Sequence, residues 1–236
     1  MNPEEIQFDI LEEGIHDQNC FKAIFCCGSP GSGKTTIERN LGLEVRGLKS
    51  LNADNTMFRL KNLRNGQIDN RDYPHAGETT EKRFNIWRND YLGLILNTTG
   101  RNLSTISRLN TYLTNSYYDT FMLFVDVDKE IAKERIESRY NNSNNREDKN
   151  RIVDLDYFEN AYDSVNINLP QFKNMFGDNF AIVKNNDFEL MSLDFEVARK
   201  KLNMFLLRPA SVEAQTILKG VHNRQYNGLG KHYSKI

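Results

Sequence analysis

Residues 28–36 read Gly28-Ser29-Pro30-Gly31-Ser32-Gly33-Lys34-Thr35-Thr36, which satisfies G-x-x-x-x-G-K-[ST] with no mismatch. The flanks give this run its meaning. Phe21–Cys27 is a short, mostly apolar stretch that reads as a buried strand, and the residues from about 34 to 43 read as a helix. Strand, glycine loop and helix together make a phosphate cradle. Glycines let backbone N–H groups of residues 28–36 turn inward, and the helix N-terminus adds partial positive charge. In that setting Lys34 reaches the β- and γ-phosphates of a nucleotide, and the Thr35 hydroxyl is placed to ligate Mg²⁺.

The chain has 236 residues, enough for one α/β domain with a small insert or tail. Its net charge of −1 provides no global field toward nucleic acid or membrane, so any binding to polyanions must be local. Cys20, Cys26 and Cys27 do not form a disulfide framework; they read as buried small residues of a reducing compartment. The N-terminus lacks the features of a signal peptide, and no apolar run approaches a membrane span. The expectation is a cytoplasmic protein with no membrane partner.

Further strands are expected at Leu48–Asn52, Leu92–Leu96, Thr120–Val125 and Phe180–Val183. Between them fall helices at about 55–64, 78–90, 103–114 and 129–140, the last capped by Asp128, and a final one from Ser192 to about Leu206. Gly66–Gly77 reads as a polar loop containing Pro74. Phe84, Trp87 and Tyr91 recur at helical spacing, and Phe84 and Trp87 read as core residues. Five apolar runs alternating with helices imply an α/β fold: a parallel five-stranded sheet with helices on both faces. The expected organisation is a lead-in over 1–20, a domain over 21–210 with a mobile lid at about 141–151, and a basic C-terminal tail over 211–236 that is helical to about Val221. From residue 214 onward that tail has no acidic residue, and it is expected to stand outside the catalytic core.

In an open α/β sheet, ligands bind beyond the carboxyl ends of the strands. There the sequence places the glycine loop, then Asp54, then Asn97, Thr99 and Arg101, then Asp126 and Asp128, with Arg135 and Arg139 on the following helix. Phosphoryl transfer needs a phosphate cradle, a metal, a group that orients or deprotonates an acceptor hydroxyl, and cations for the transferring group. Asp54 is the candidate base; as a helix N-cap ahead of Asn55-Thr56-Met57 it has a structural alternative. Arg139, Arg146 and Arg151, on or flanking the polar segment, could close over a nucleotide.

Phe25–Thr35 followed by Leu51-Asn52-Ala53-Asp54 resembles the zeta-toxin and polynucleotide-kinase branch of the P-loop kinases. Leu94–Arg101 is similar to the zeta-type third strand that ends E-G-T-G-R, and the similarity spans about residues 21–186. The resemblance implies a kinase-type P-loop NTPase fold with the glycine-loop strand central, and ATP and Mg²⁺ as cofactors. It makes Asp54 the catalytic base, Lys34 and Thr35 the phosphate and magnesium residues, and Arg139 and Arg151 the arginines on the γ-phosphate. Asn97, Thr99 and Arg101 become acceptor-binding residues. Two positions depart from the pattern. Asn97 stands where the zeta-type strand ends in glutamate, and an amide cannot act as a base. Met57 stands where polynucleotide kinases carry an arginine.

The expected activity is ATP-dependent transfer of the γ-phosphoryl group to a hydroxyl of a sugar, nucleotide or other small acceptor. A polynucleotide 5′-hydroxyl kinase, with the basic tail guiding a nucleic acid strand, is the second enzyme reading. A nucleotide-binding module without catalysis is the reading from another class.

Overall fold

A computed structural model of the chain describes residues 19–54, 57, 72–142, 154–186 and 192–221. Five strands, β1 (Lys22–Cys27), β2 (Lys49–Leu51), β3 (Leu94–Thr98), β4 (Asp119–Asp126) and β5 (Phe180–Lys184), form one sheet in the order β2-β3-β1-β4-β5. Every pairing is parallel, with Ala23 opposite both Leu94 and Thr120, so the glycine-loop strand is central as expected. The helices are α1 (Lys34–Asn40), α2 (Asp72–Asn89), α3 (Leu103–Asn115), α4 (Lys129–Asn142), α5 (Leu155–Phe176), α6 (Leu193–Leu207) and α7 (212–221).

Side chains alternate across the pleat, and β1 shows how this divides the core. Ala23, Phe25 and Cys27 face one layer, with Leu94, Leu96, Met122, Phe124 and residues of α3 and α5. Ile24 and Cys26 face the other, with Ile37 of α1 and Phe195, Ala198, Leu202 and Phe205 of α6. Central strands buried on both faces explain why the sequence shows continuous apolar runs instead of alternation. A smaller cluster of Val127, Ala132, Ile136 and Phe158 joins α4 to the start of α5 beside the glycine loop. Phe84, Trp87 and Tyr91 pack on the first layer, the core role expected for the first two.

The structure corrects four sequence-based expectations. The polar loop expected to run to Gly77 ends earlier, because α2 begins at Asp72. Pro74 sits in its first turn, where the missing N–H has no helical partner to lose. The 22-residue α5 occupies a stretch that had no assignment. Its buried residues Phe158, Ala161, Val165, Phe172 and Phe176 do recur at helical spacing, but Pro170 interrupts the pattern. Residues 141 and 142 belong to the end of α4, while 143–151 of the expected lid lie outside the described residues. Finally, Ala214 is buried in the first core layer and Ile217 and Leu218 pack against it, so the tail's first part is seated on the domain. Residues 222–236, and the expected helix at 55–64 apart from Met57, lie outside the described residues.

Ser192 caps α6 as expected, its side chain accepting from Phe195 N–H. Among the described residues no helix is long and apolar enough to cross a membrane.

Candidate functional site

The carboxyl ends of β1, β2 and β3 converge on a cleft of about 260 Å³. Pro30, Gly31, Gly33, Lys34 and Thr35 form its floor; Asn52, Ala53 and Asp54 follow β2; Asn97, Thr98 and Thr99 end β3; Ile136, Arg139 and Tyr157 supply the far wall.

The floor is braced from behind. Asn185, buried just past β5, donates from Nδ2 to the Ser32 carbonyl at 2.7 Å, and its own N–H reaches the Asp126 carbonyl at 2.8 Å. Arg135 donates to the Asn186 carbonyl at 3.0 Å and to the Gly31 carbonyl at 3.5 Å, tying α4 to the loop. Gly28, Ser29, Ser32 and Thr36 complete the expected loop without lining the cleft. Lys34 folds back, its Nζ 2.8 Å from the Gly28 carbonyl and 3.0 Å from that of Ser29. Those are weak holds compared with a phosphate, since a charge-assisted bond to an anion is about twice as strong as one to a neutral group.

The β2 end shows how the chain enters the stretch that carries Asp54. The chain turns helical at residue 53, and the Asn52 side chain accepts from Asp54 N–H at 2.9 Å. An N-cap side chain takes the N–H two or three residues on, so Asn52 is the cap. Asp54, exposed, follows it in the wall of the cleft.

The β3 end is tied to its neighbours at two points. Asn97 Nδ2 donates to Glu38 Oε2 at 2.9 Å and to Ser50 Oγ at 3.2 Å, and Ser50 Oγ donates to Glu38 Oε1 at 3.1 Å. Burial pushes the Glu38 carboxyl above its ordinary range, and the bonds from Asn97 and Ser50 pull it back. Farther on, Asn168 of α5 donates to the Gly100 and Arg101 carbonyls at 3.1 and 2.9 Å. Arg101 does not itself line the cleft. Its guanidinium lies 4.9 Å from the ring centre of Tyr157, which does.

Of the residues singled out from sequence, Lys34, Thr35, Asp54, Asn97, Thr99 and Arg139 thus share one cleft. Arg146 and Arg151 lie outside the described residues. Sequence reasoning missed Glu38, Asn52 and Tyr157. A capping pattern at Asn52 was available as a signal; Tyr157 lay on the unassigned α5, and nothing in a helix sequence marks Glu38 as buried under the site.

The sequence profile of the zeta-toxin family matches residues 10–192. A chain from the PezAT chromosomal toxin–antitoxin system of Streptococcus pneumoniae is similar in structure, with a TM-score of 0.52 and 17% identity, covering 86% of this chain and 94% of that one. A chain of the Pnkp1/Rnl/Hen1 RNA repair complex is similar with a TM-score of 0.50 and 17% identity over 68% of this chain. The match spans only 48%, about half, of that longer protein. No curated protein sequence matches the chain.

Proposed function

The chain belongs to the zeta-toxin family of P-loop kinases, and from that premise we propose that it transfers the γ-phosphoryl group of ATP to a hydroxyl of a sugar, nucleotide or other small acceptor. The observation that carries the reading is the meeting of Lys34, Thr35, Asp54 and Arg139 around one cleft.

Each residue has a role that its place allows. The loop N–H groups and Lys34 hold the β- and γ-phosphates once Lys34 leaves the Gly28 and Ser29 carbonyls. Magnesium, when bound, neutralises charge on those phosphates; exposed Thr35 in the first turn of α1 is the residue to hold it. Asp54 accepts the proton of the acceptor hydroxyl as its oxygen bonds to the γ-phosphorus and the bond to ADP breaks. Arg139 offsets charge on the transferring group, with Arg151 as a second cation from the segment proposed as a lid. Of the three residues expected to bind the acceptor, Thr99 orients it directly, Arg101 acts through Tyr157, and Asn97, whose amide protons are held by Glu38 and Ser50, does not donate to it. The presence of Asp54 in the cleft argues against a binding module without catalysis.

The test is a screen with [γ-³²P]ATP–Mg²⁺ against UDP-sugars, nucleosides and 5′-hydroxyl oligonucleotides. Wild type labels at least one of them, and Lys34→Ala abolishes labelling. Label confined to oligonucleotides makes the protein a polynucleotide kinase; ATP binding with no Lys34-dependent turnover on any acceptor refutes the kinase reading.

A further inference from the structure

Glu38 is a carboxylate enclosed against the wall of a phosphate-binding cleft, 4% exposed, and nothing in the mechanism above uses it. Burying an unpaired charge costs several kcal/mol, so its partners deserve an account. Both come from the sheet: Ser50 on β2 and Asn97 at the end of β3. The two Nδ2 protons of Asn97 are directed at oxygens, one of Glu38 and one of Ser50. This fixes the amide, because the reverse orientation would set Oδ1 against a carboxylate. What Asn97 retains is Oδ1, which is enclosed and has no hydrogen-bond partner among the described residues. The Asn97 side chain is therefore left as an acceptor only, with a carboxylate directly behind the amide.

Resting on the kinase reading, we propose that Glu38, acting through Asn97, supplies the negative side of the magnesium site that Thr35 opens. Asn97 Oδ1 accepts a hydrogen bond from a metal-bound water, and Glu38 is the positioning residue that orients and polarises the amide. Thr35 and Glu38 stand three residues apart on α1 and so share one side of it. Thr35 and Asn97 line the same cleft. An orphaned oxygen suits a donor such as cation-held water and repels a phosphate oxygen, which has nothing to donate. A carboxylate behind a ligating group raises its basicity, as carboxylates do behind metal-bound histidines. The charge that a glutamate at position 97 would carry is thereby moved to the neighbouring helix.

The experiment is calorimetric titration of ATP in EDTA and again at saturating Mg²⁺, for wild type, Lys34→Ala, Glu38→Gln, Ser50→Ala and the exchange pair Glu38→Gln/Asn97→Asp, with melting temperatures alongside. Metal-free affinity in Glu38→Gln and Ser50→Ala stays within about twofold of wild type. The gain in affinity on adding Mg²⁺ falls about tenfold in Glu38→Gln, the scale of one charge-assisted hydrogen bond. Ser50→Ala, which leaves the charge in place, lowers the gain less. The exchange pair recovers it, since the new amide at 38 can donate to the new carboxylate at 97. An equal Mg²⁺ gain in wild type and Glu38→Gln overturns the proposal. So does an exchange pair that recovers melting temperature but not the gain, which would make the network structural only. Should Glu38→Gln fail to fold, Ser50→Ala and the exchange pair decide. Lys34-dependent ATP binding with a Mg²⁺ gain indifferent to Glu38 sinks this inference alone. No Lys34-dependent ATP binding sinks the kinase reading with it.

Discussion

Two glycines in left-handed conformations offer a matched pair of perturbations. Gly31 in the phosphate loop has φ 79°, and Gly42 just past α1 has φ 64°. Giving either one a Cβ costs about 1–2 kcal/mol from backbone strain alone. At Gly42 nothing lies within 4 Å of the new atom, so the cost ends there. At Gly31 the Cβ would stand 3.0 Å from the Ala132 carbonyl carbon, 3.1 Å from its Cα and closer still to its carbonyl oxygen. Carbon atoms rest at about 3.5–4.0 Å, and Ala132 cannot withdraw because it and Ile136, both on α4, are packed there with Val127 and Phe158. The loop has to move instead, adding about 1–3 kcal/mol of overpacking. At about 2–4 °C per kcal/mol for a chain of this size, Gly31→Ala lowers the melting temperature by roughly 4–20 °C and Gly42→Ala by roughly 2–8 °C. Function separates them more sharply. A loop displaced by about 1 Å lowers turnover about a hundredfold, whereas Gly42→Ala leaves ATP affinity and turnover unchanged. Scanning fluorimetry, ATP calorimetry and the labelling assay read all three quantities. If the two variants bind ATP and turn over alike, the contact between α4 and the loop does not hold the cradle, and the reasoning fails.

Asp54→Asn should leave ATP affinity within a few-fold and the melting temperature unchanged while lowering turnover by about 10²–10⁴, the range for loss of a positioned base. Unchanged turnover would return Asp54 to a structural role. Asp119→Asn strands the Lys22 ammonium, 2% exposed and 2.6 Å from the Asp119 carboxylate. Because Asp119 is itself 31% exposed, the usual cost of breaking a buried pair is discounted to about 2–3 kcal/mol at pH 7. Burial holds Lys22 below its ordinary range despite Asp119, so its charge-dependent cost is present at neutral pH and fades as pH rises through the folded value toward 10.5. Urea melts at pH 7 and pH 10 should show the gap between variant and wild type narrowing, and an equal gap at both refutes the assignment. Burial raises the Cys26 thiol strongly and pushes Cys27 up to about 12, so neither reacts with Ellman's reagent at pH 8 until the protein unfolds. Fast native titration of more than the half-buried Cys20 would contradict the packing of β1.

The sheet was legible because a parallel strand buried on both faces writes a continuous apolar run, and Phe21–Cys27 and Thr120–Val125 are such runs. Parallel strands need crossovers, which calls for helices between them. The helix α5 escaped because its apolar residues are spread among asparagines and aspartates and its interior carries Pro170. Its amphipathic face gains meaning only against Phe124 and Phe25, whose rings meet Phe172 and Phe176. Basic composition suggested that residues beyond 214 stand apart, yet Ala214 is wholly buried. A helix can show cations to water on one side and seat small apolar residues on a core with the other, so charge alone did not fix the domain's edge.

The site was legible where chemistry demands a fixed spacing along the chain and obscure where it demands only a spacing in space. Lys34 and Thr35 follow from the loop that builds their neighbours. Asp54 follows from its place after a strand, while the residue whose side chain takes its N–H, Asn52, stands two residues earlier. Glu38 shows the limit most clearly. By position it is one more polar residue of a seven-residue helix, and by helical arithmetic it could as well face solvent. Only the pairing of β2 with β3, which brings Ser50 opposite Ile95, two residues before Asn97, gives its carboxylate two donors and a reason to be buried. The departure at Asn97 has the same root. Read along the chain it is a lost acid; read across α1, β2 and β3 it is an amide whose donors are already committed, leaving an acceptor at the point where the lost acid would have stood.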